Sequence, residues 1–425
     1  MPKAISCAAV AALLCLLPSC IRITRPSDDR VILRYVTWGL VPEEIQITKD
    51  ILAEFERTRS NIKIEYIFTA GGSDYYGKIL SMIAAGTPPD VFYMQPERFA
   101  GFAARNALLD LDPYVAEDHE FAITNFYPVI IDAFRWEGRL YGLPADSGTF
   151  VLYYNQDLFD KAGVSYPDES WDWQALLNAA QKLTKQDAQG RYTQFGYCVR
   201  DWMEMVWQNG GDMLTTDGKR CLLNTPEAKE ALRFYTDLTN KYHVSPSSQV
   251  ASLLSGMDPE QMFLNGKLAM IPTGRYVLPR FRQIKNFQWD VAPLPKGKQR
   301  ASLIVGLGFC IPRETRHPKQ AWELAKYLAG EKGMTAFTRR GVFMPALKSL
   351  TESAVFLDPT QPPKNDHAFI DALPYGYAFP KHPRIAEMMD IIGRELEFVY
   401  VNTQTAEQAC DNMTDNINQL LSEEP

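Results

Sequence analysis

The chain is poor in the residues and motifs that most often carry chemistry. Its five histidines, His119, His243, His317, His367 and His382, are too scattered to offer metal-ligand spacing. Its seven cysteines form no CxxC pair. There is no G-x-x-x-x-G-K-S/T loop, no G-x-S-x-G elbow, and no G-x-G-x-x-G after a strand. Basic charge is also short. The 44 Lys and Arg stand against 51 Asp and Glu, a net charge of −7, so the basic stripe expected of a nucleic-acid binder is missing. No membrane span is visible either: the longest apolar run, "AISCAAVAALLCLL", covers residues 4–17, and a bilayer needs about 20 residues. Carboxylate pairs such as Asp146 and Glu204 can be nominated for glycoside chemistry, but no spacing selects them. These absences favour a binding protein over an enzyme. No catalytic residue, cofactor or metal is expected.

What the chain does have is a globular composition, 46% hydrophobic, with a length that suits two domains. Aromatic residues make up 12%, including 8 Trp and 20 Tyr, which calls for a use besides core filling. The N-terminus has Lys3, then the apolar run, then Leu17-Pro18-Ser19-Cys20. This order resembles a bacterial lipobox, although Pro18 departs from the usual small or aliphatic residue there. Residues 1–19 then read as a lipoprotein signal peptide and Cys20 as the lipidated residue; the other reading is a plain cleaved signal with an incidental Cys. The diacylglyceryl chains on such a Cys, of the palmitate class, suffice for stable anchoring. Residues 20–30 would form a tether, and the mature chain would carry 43 basic and 51 acidic residues, a net charge of −8. The remaining Cys198, Cys221, Cys310 and Cys410 read mostly as small buried thiols; nothing in their spacing fixes a disulfide.

Along the chain, "VILRYVT" (31–37) alternates as a strand, and "IKIEYIF" (62–68) puts Ile62, Ile64, Tyr66 and Phe68 on one face. "PDVFYM" (89–94) is a continuous apolar strand suited to a buried parallel sheet. With helical spacing between them, the first hundred residues read as α/β. Asp172 should cap a helix from Trp173 to Thr184, and Thr225-Pro226 should open another, through about Tyr242. Strands are expected at 266–274 and 289–297, a helix at 317–330 and a helical C-terminus.

Longer segments carry a resemblance. "PPDVFYMQPERFAGFAARNALLDLDPYV" (88–115) and "GRLYGLPADSGTFVLYYNQDLFDKAG" (138–163) are followed by "SWDWQALLNAAQKLT", "WQNGGDML", "FLNGKLAMIPTGRY", "VAPLPKGK" and "AWELAKYLAGEKGMTAF". This ordered set resembles the family 1 extracellular solute-binding proteins, the maltose-binding-protein-like sugar-binding components of ABC importers. The resemblance covers almost all of the mature chain. It implies a two-lobed α/β periplasmic-binding-protein fold with three hinge crossings, near Asp146, Pro295 and Phe343, and a ligand cleft between the lobes. The N-lobe would be 31–146 plus 296–343, and the C-lobe 147–295 plus 344–425. It also implies an exported monomer, lipid-anchored to the cell membrane through Cys20 and facing the periplasm or exterior. Its partners would be a sugar or oligosaccharide and the permease transmembrane subunits.

A sugar needs fixed polar partners for its hydroxyls and aromatic plates for its apolar faces. The resemblance puts Trp38 at the start of the cleft, as an alternative to a core Trp. It puts Asp146 in the first crossing loop, as ligand contact or hinge bond. It puts Arg200 and Trp202 on the C-lobe face, with Trp207 as core, and Arg275 and Tyr276 at an aromatic platform. Gln95 and Glu97 lie just past the buried strand at 89–94, where strand ends of an open α/β sheet meet ligand; otherwise they begin a solvated helix. "GGSDYY" (71–76) presents free N–H groups and Asp74 to a ligand, or is a plain turn. Gly306 would let backbone approach a ligand, and Tyr375 stands in an aromatic loop, 374–384, that could cover the cleft. The competing reading from another class is a lipid-anchored glycan hydrolase. Within the binding class it is a binder of a phosphorylated polyol or another small anion.

Overall fold

The computed structural model describes residues 30–39, 42–69, 73–247 and 257–423. The apolar leader, Cys20 and all of the tether except Arg30 lie outside the described residues.

Apolar alternation builds the first sheet. Strand Val31–Trp38 pairs in parallel with Ile62–Thr69 from Val31↔Ile62 to Trp38↔Thr69. On its other side it pairs in parallel with Val91–Met94, all four residues of which are buried. Strand Ser302–Cys310 closes that edge, antiparallel to Val91–Met94 and also to Gly142–Thr149. The helices Pro42–Thr58, Ser73–Ala84 and Pro318–Ala329 pack on the sheet. Parallel strands need such crossovers, and the central strand Val91–Met94 is buried throughout while the edge strand Ile62–Thr69 stays largely open.

A second, antiparallel sheet sets Val151–Asn155 between Met270–Thr273 and Trp289–Ala292. Its residues alternate between two hydrophobic clusters. Tyr153, Ile271 and Val291 join the cluster of the first sheet, while Leu152, Tyr154, Met270 and Ala292 join the other. That second cluster gathers helices Trp173–Leu183, Trp202–Gln208, Pro226–Asn240, Ile385–Tyr400 and Ala406–Ser422. Asp172 and Thr225 cap their helices, accepting from Ala175 N–H at 2.8 Å and Ala228 N–H at 3.4 Å.

Strands Gly142–Thr149 and Ser302–Cys310 run side by side from one cluster into the other. A third segment joins them where Ser147 N–H donates to Met344 O at 2.9 Å. Cys198, Cys221, Cys310 and Cys410 are all free and buried. Burial pushes the Cys198 and Cys410 thiols up to about 12, so they stay protonated and unreactive. Among the described residues, no helix is long and apolar enough to cross a membrane.

Candidate functional site

The three crossings floor a cleft of about 340 Å³. One face of it is made by the carboxyl ends of the parallel strands. Trp38 ends the first strand, and Tyr93 and Gln95 stand at and just past the end of Val91–Met94. Trp38 is held edge-on by Tyr75, Tyr93 and Tyr76, with ring centres 4.5, 5.5 and 6.0 Å away. Edge-to-face packing of this kind adds to the area buried and fixes the ring. Tyr66 and Phe68, Glu44 and Thr48 complete this face. Glu97 sits in the first turn of helix Pro96–Ala104. Burial raises its carboxyl above the ordinary value, and the charge of Asp201 on the opposite face raises it further.

The floor carries Asp146, Gly306 and Leu307. The ladder between Gly142–Thr149 and Ser302–Cys310 shifts register between Leu307 and Gly308, the mark of a bulge. Asp146 lies beside that irregularity and accepts from Leu307 N–H at 2.5 Å. Burial pushes its carboxyl up to about 8, and the charge of Glu44 adds to the shift. Gly306 has no room for a side chain: a Cβ there would stand 2.9 Å from Asp146 O.

The opposite face comes from loops. Arg200 Nη2 donates to Tyr276 Oη at 2.9 Å, and its Nη1 pairs with Glu260. Thr273 Oγ1 lies 3.1 Å from the same phenol. Phe150 stands beside them, while Phe337, on helix Glu331–Arg339 packed against helix Pro42–Thr58, stacks on Phe343 at 4.4 Å and with Val342 lines the cleft from the side of the first sheet. Asp201 caps helix Trp202–Gln208 through Met203 N–H, and burial lifts its carboxyl to about 6. The charged lining is thus Glu44, Glu97 and Asp146 against Arg200, whose guanidinium is already paired.

Of the residues singled out in the sequence, Trp38, Gln95, Glu97, Asp146, Arg200, Tyr276 and Gly306 come together in this cleft. Four others do not. Asp74 is exposed in the first turn of its helix, away from the lining. Trp202 is 5% exposed because every residue of its helix is buried in the second cluster. Arg275 is 2% exposed and turned inward. It donates to Phe343 O at 2.9 Å and Phe356 O at 3.3 Å, lies over the Phe356 ring, and faces Asp366 at 3.8 Å. It is a strut, so its reading as a ligand contact is corrected. Tyr375 does not cover the cleft either. It packs near Arg300, while Tyr377 of the same loop stacks on Trp207 and Lys381 reaches Asp132 O.

Tyr66, Phe68, Glu44, Thr48, Phe150, Phe337 and Phe343 were not singled out as ligand residues. Tyr66 and Phe68 carried a signal, since both lie at the carboxyl end of a predicted strand. Phe343 carried one as the expected third crossing, while Phe337 carried none, because it reaches the cleft only through tertiary packing. Among the described residues no group of His, Cys, Asp and Glu is placed to hold a metal.

Comparisons with known proteins agree with this architecture. The bacterial extracellular solute-binding protein family matches residues 41–335. A putative binding protein of Brucella abortus (strain 2308) is 24% identical over 331 residues, 76% of this chain and 77% of its own. An arabinooligosaccharide-binding protein of Bacillus subtilis (strain 168) is 26% identical over 282 residues, 64% of this chain and 63% of its own. An ABC substrate-binding protein from Listeria monocytogenes, solved with cycloalternan, superposes with a TM-score of 0.86 at 29% identity. That match spans 93% of this chain and 100% of the other.

Proposed function

The chain belongs to the bacterial extracellular solute-binding proteins, and on that premise we propose that it binds a sugar or oligosaccharide for an ABC importer. Proteins of this family are exported to the periplasm or cell exterior. The observation that carries the reading is the lining of the cleft. Aromatic side chains from both faces, Trp38, Tyr66, Tyr93, Phe150 and Tyr276, stand among the acceptors Glu44, Glu97 and Asp146. Aromatic plates suit the apolar faces of a pyranose, and carboxylates accept from its hydroxyls. A phosphorylated or other anionic ligand fits less well: among the described residues Glu44 and Glu97 face it, and the lining guanidinium of Arg200 is committed to Glu260. Relatives that are binding proteins support binding without a chemical step.

In the same reading, Cys20 carries the lipid and residues 20–30 tether a monomer near its permease. The lobes meet along Ser147, Gly306 and Met344, so the second crossing is taken as strand Ser302–Cys310 instead of Pro295. Closure about these segments is a hinge motion.

A thermal-shift screen over neutral mono- and oligosaccharides, a uronate and a sugar phosphate tests the reading. A neutral saccharide should raise the melting temperature, by mass action on the folded form, with no product after long incubation. A rise with the sugar phosphate alone, or release of a hydrolysis product, would overturn it.

A further inference from the structure

Tyr75 and Tyr76 are adjacent and pack edge-on, 5.1 Å between ring centres, yet their hydroxyls serve different partners. Tyr75 Oη lies 2.9 Å from Tyr93 O and 3.2 Å from Val36 O, both main-chain carbonyls of the sheet. Tyr76 Oη meets Gln95 twice. It accepts from Gln95 N–H at 3.1 Å and lies 3.0 Å from Gln95 Oε1.

A phenol has a single proton to give. With the Gln95 N–H directed at a lone pair of Tyr76 Oη, that proton is left for Gln95 Oε1. An amide oxygen held in this way turns its Nε2 group to the other side. Tyr76 is buried behind the lining, whereas Gln95 belongs to it.

We propose that Tyr76 is a positioning residue for ligand recognition: it fixes the Gln95 side-chain amide so that the cleft meets its N–H donors and not its carbonyl. This rests on the saccharide reading of the cleft. The chemistry of the lining gives the arrangement a purpose. Glu44 and Glu97 can accept hydrogen bonds from sugar hydroxyls, but each hydroxyl also has lone pairs to satisfy. A Gln95 turned the other way would add one more acceptor to an acceptor-rich site. Held by Tyr76, it supplies the donor, and it selects an accepting oxygen over an ammonium group at that point.

A double-mutant cycle on the full chain tests this, with the probe being the tightest binder among maltose, maltotriose and arabinotriose. Gln95→Ala and Tyr76→Phe should each weaken the probe about tenfold, as loss of one net hydrogen bond does. The double variant should weaken it by the same tenfold as either single one and not by about a hundredfold, because Tyr76 acts through Gln95. Tyr75→Phe is the control: its loss should multiply with that of Gln95→Ala. Multiplying losses for Tyr76→Phe, as a merely structural role gives, would overturn the proposal. So would a Gln95→Ala variant that binds like the parent. If none of the probes binds the parent chain, the saccharide reading falls first and this inference with it.

Discussion

The strand-built face and the loop-built face of the cleft differ in what holds their side chains. Trp38 and Tyr93 stand on adjacent parallel strands and Gln95 just past the end of the second, so the register of the sheet positions them and a layer of tyrosines backs them. Arg200 and Tyr276 stand in loops and hold each other, with Glu260 and Thr273 as outer partners. The first face is a rigid template on which backbone hydrogen bonds fix position. The second depends on a polar network whose parts must all be present. Two arginines on the loop-built side make the point. Arg200 reaches the cleft, while Arg275, next to Tyr276, is spent on holding the third crossing at Phe343 O.

The largest expected effect separates those two arginines. Arg275→Ala removes both bonds to carbonyls and leaves Asp366 buried without its counter-charge. Loss of one partner of a buried pair costs about 3–5 kcal/mol. Urea unfolding of the ligand-free protein should therefore show a large drop in midpoint. Arg200→Ala strands the buried Glu260 too, but its own side chain is 28% exposed against 2% for Arg275, so the midpoint should fall less and ligand binding should weaken. Equal unfolding midpoints for the two variants would erase the distinction between strut and contact.

Next in size is Gly306→Ala, on the floor that both faces share. The added Cβ would meet Asp146 O at 2.9 Å. Main chain cannot turn aside as a side chain can, so the two crossing strands must separate. The cost should be about 1–3 kcal/mol, as for other overpacked sites, together with weaker ligand binding in calorimetric titration. A variant as stable as the parent would mean that the strands part freely here.

The same contrast governs what the amino-acid order revealed. The strands at Val31–Trp38, Ile62–Thr69 and Val91–Met94 announce themselves by local apolar patterns, and Asp172 and Thr225 announce helix starts. Residues at the carboxyl ends of such strands, Trp38 and Gln95 among them, follow from topology. The loop-built face has no comparable rule. Arg275 and Tyr276 are neighbours with opposite fates, decided by the carbonyls of Phe343 and Phe356 far along the chain. The resemblance puts Trp202 on the C-lobe face, yet its short helix is wholly internal. Strand Ser302–Cys310, which with Gly142–Thr149 ties both clusters, is set by pairing with Val91–Met94 and Gly142–Thr149, and pairing of that range leaves no local pattern.

A smaller effect comes from acidity at the floor. The Asp146 carboxyl stands at about 8 because it is buried, well above the value of about 3.9 for an unfolded Asp. Folding therefore favours its protonated form. Its contribution to the stability of the ligand-free protein is full below about pH 4 and is lost as pH rises through about 8. Melting temperatures taken from pH 4 to 8 should fall with pH more steeply for the parent than for Asp146→Asn, which has no proton to lose. Parallel curves would mean that Asp146 is solvated like a surface acid.

The smallest effect should come from Asp74, which the sequence put beside the cleft and the fold puts in solvent. It occupies the first turn of helix Ser73–Ala84, where a carboxylate favours the helix by about 0.3–1 kcal/mol. Asp74→Ala should therefore lower stability by that small amount and leave ligand affinity within about twofold of the parent. The neighbouring Tyr75 and Tyr76 reach the site only from behind, through Trp38 and Gln95. If Asp74→Ala instead weakened ligand tenfold, the first turn of helix Ser73–Ala84 would have to move onto the ligand on binding, and the strand-built face would be less rigid than its sheet implies.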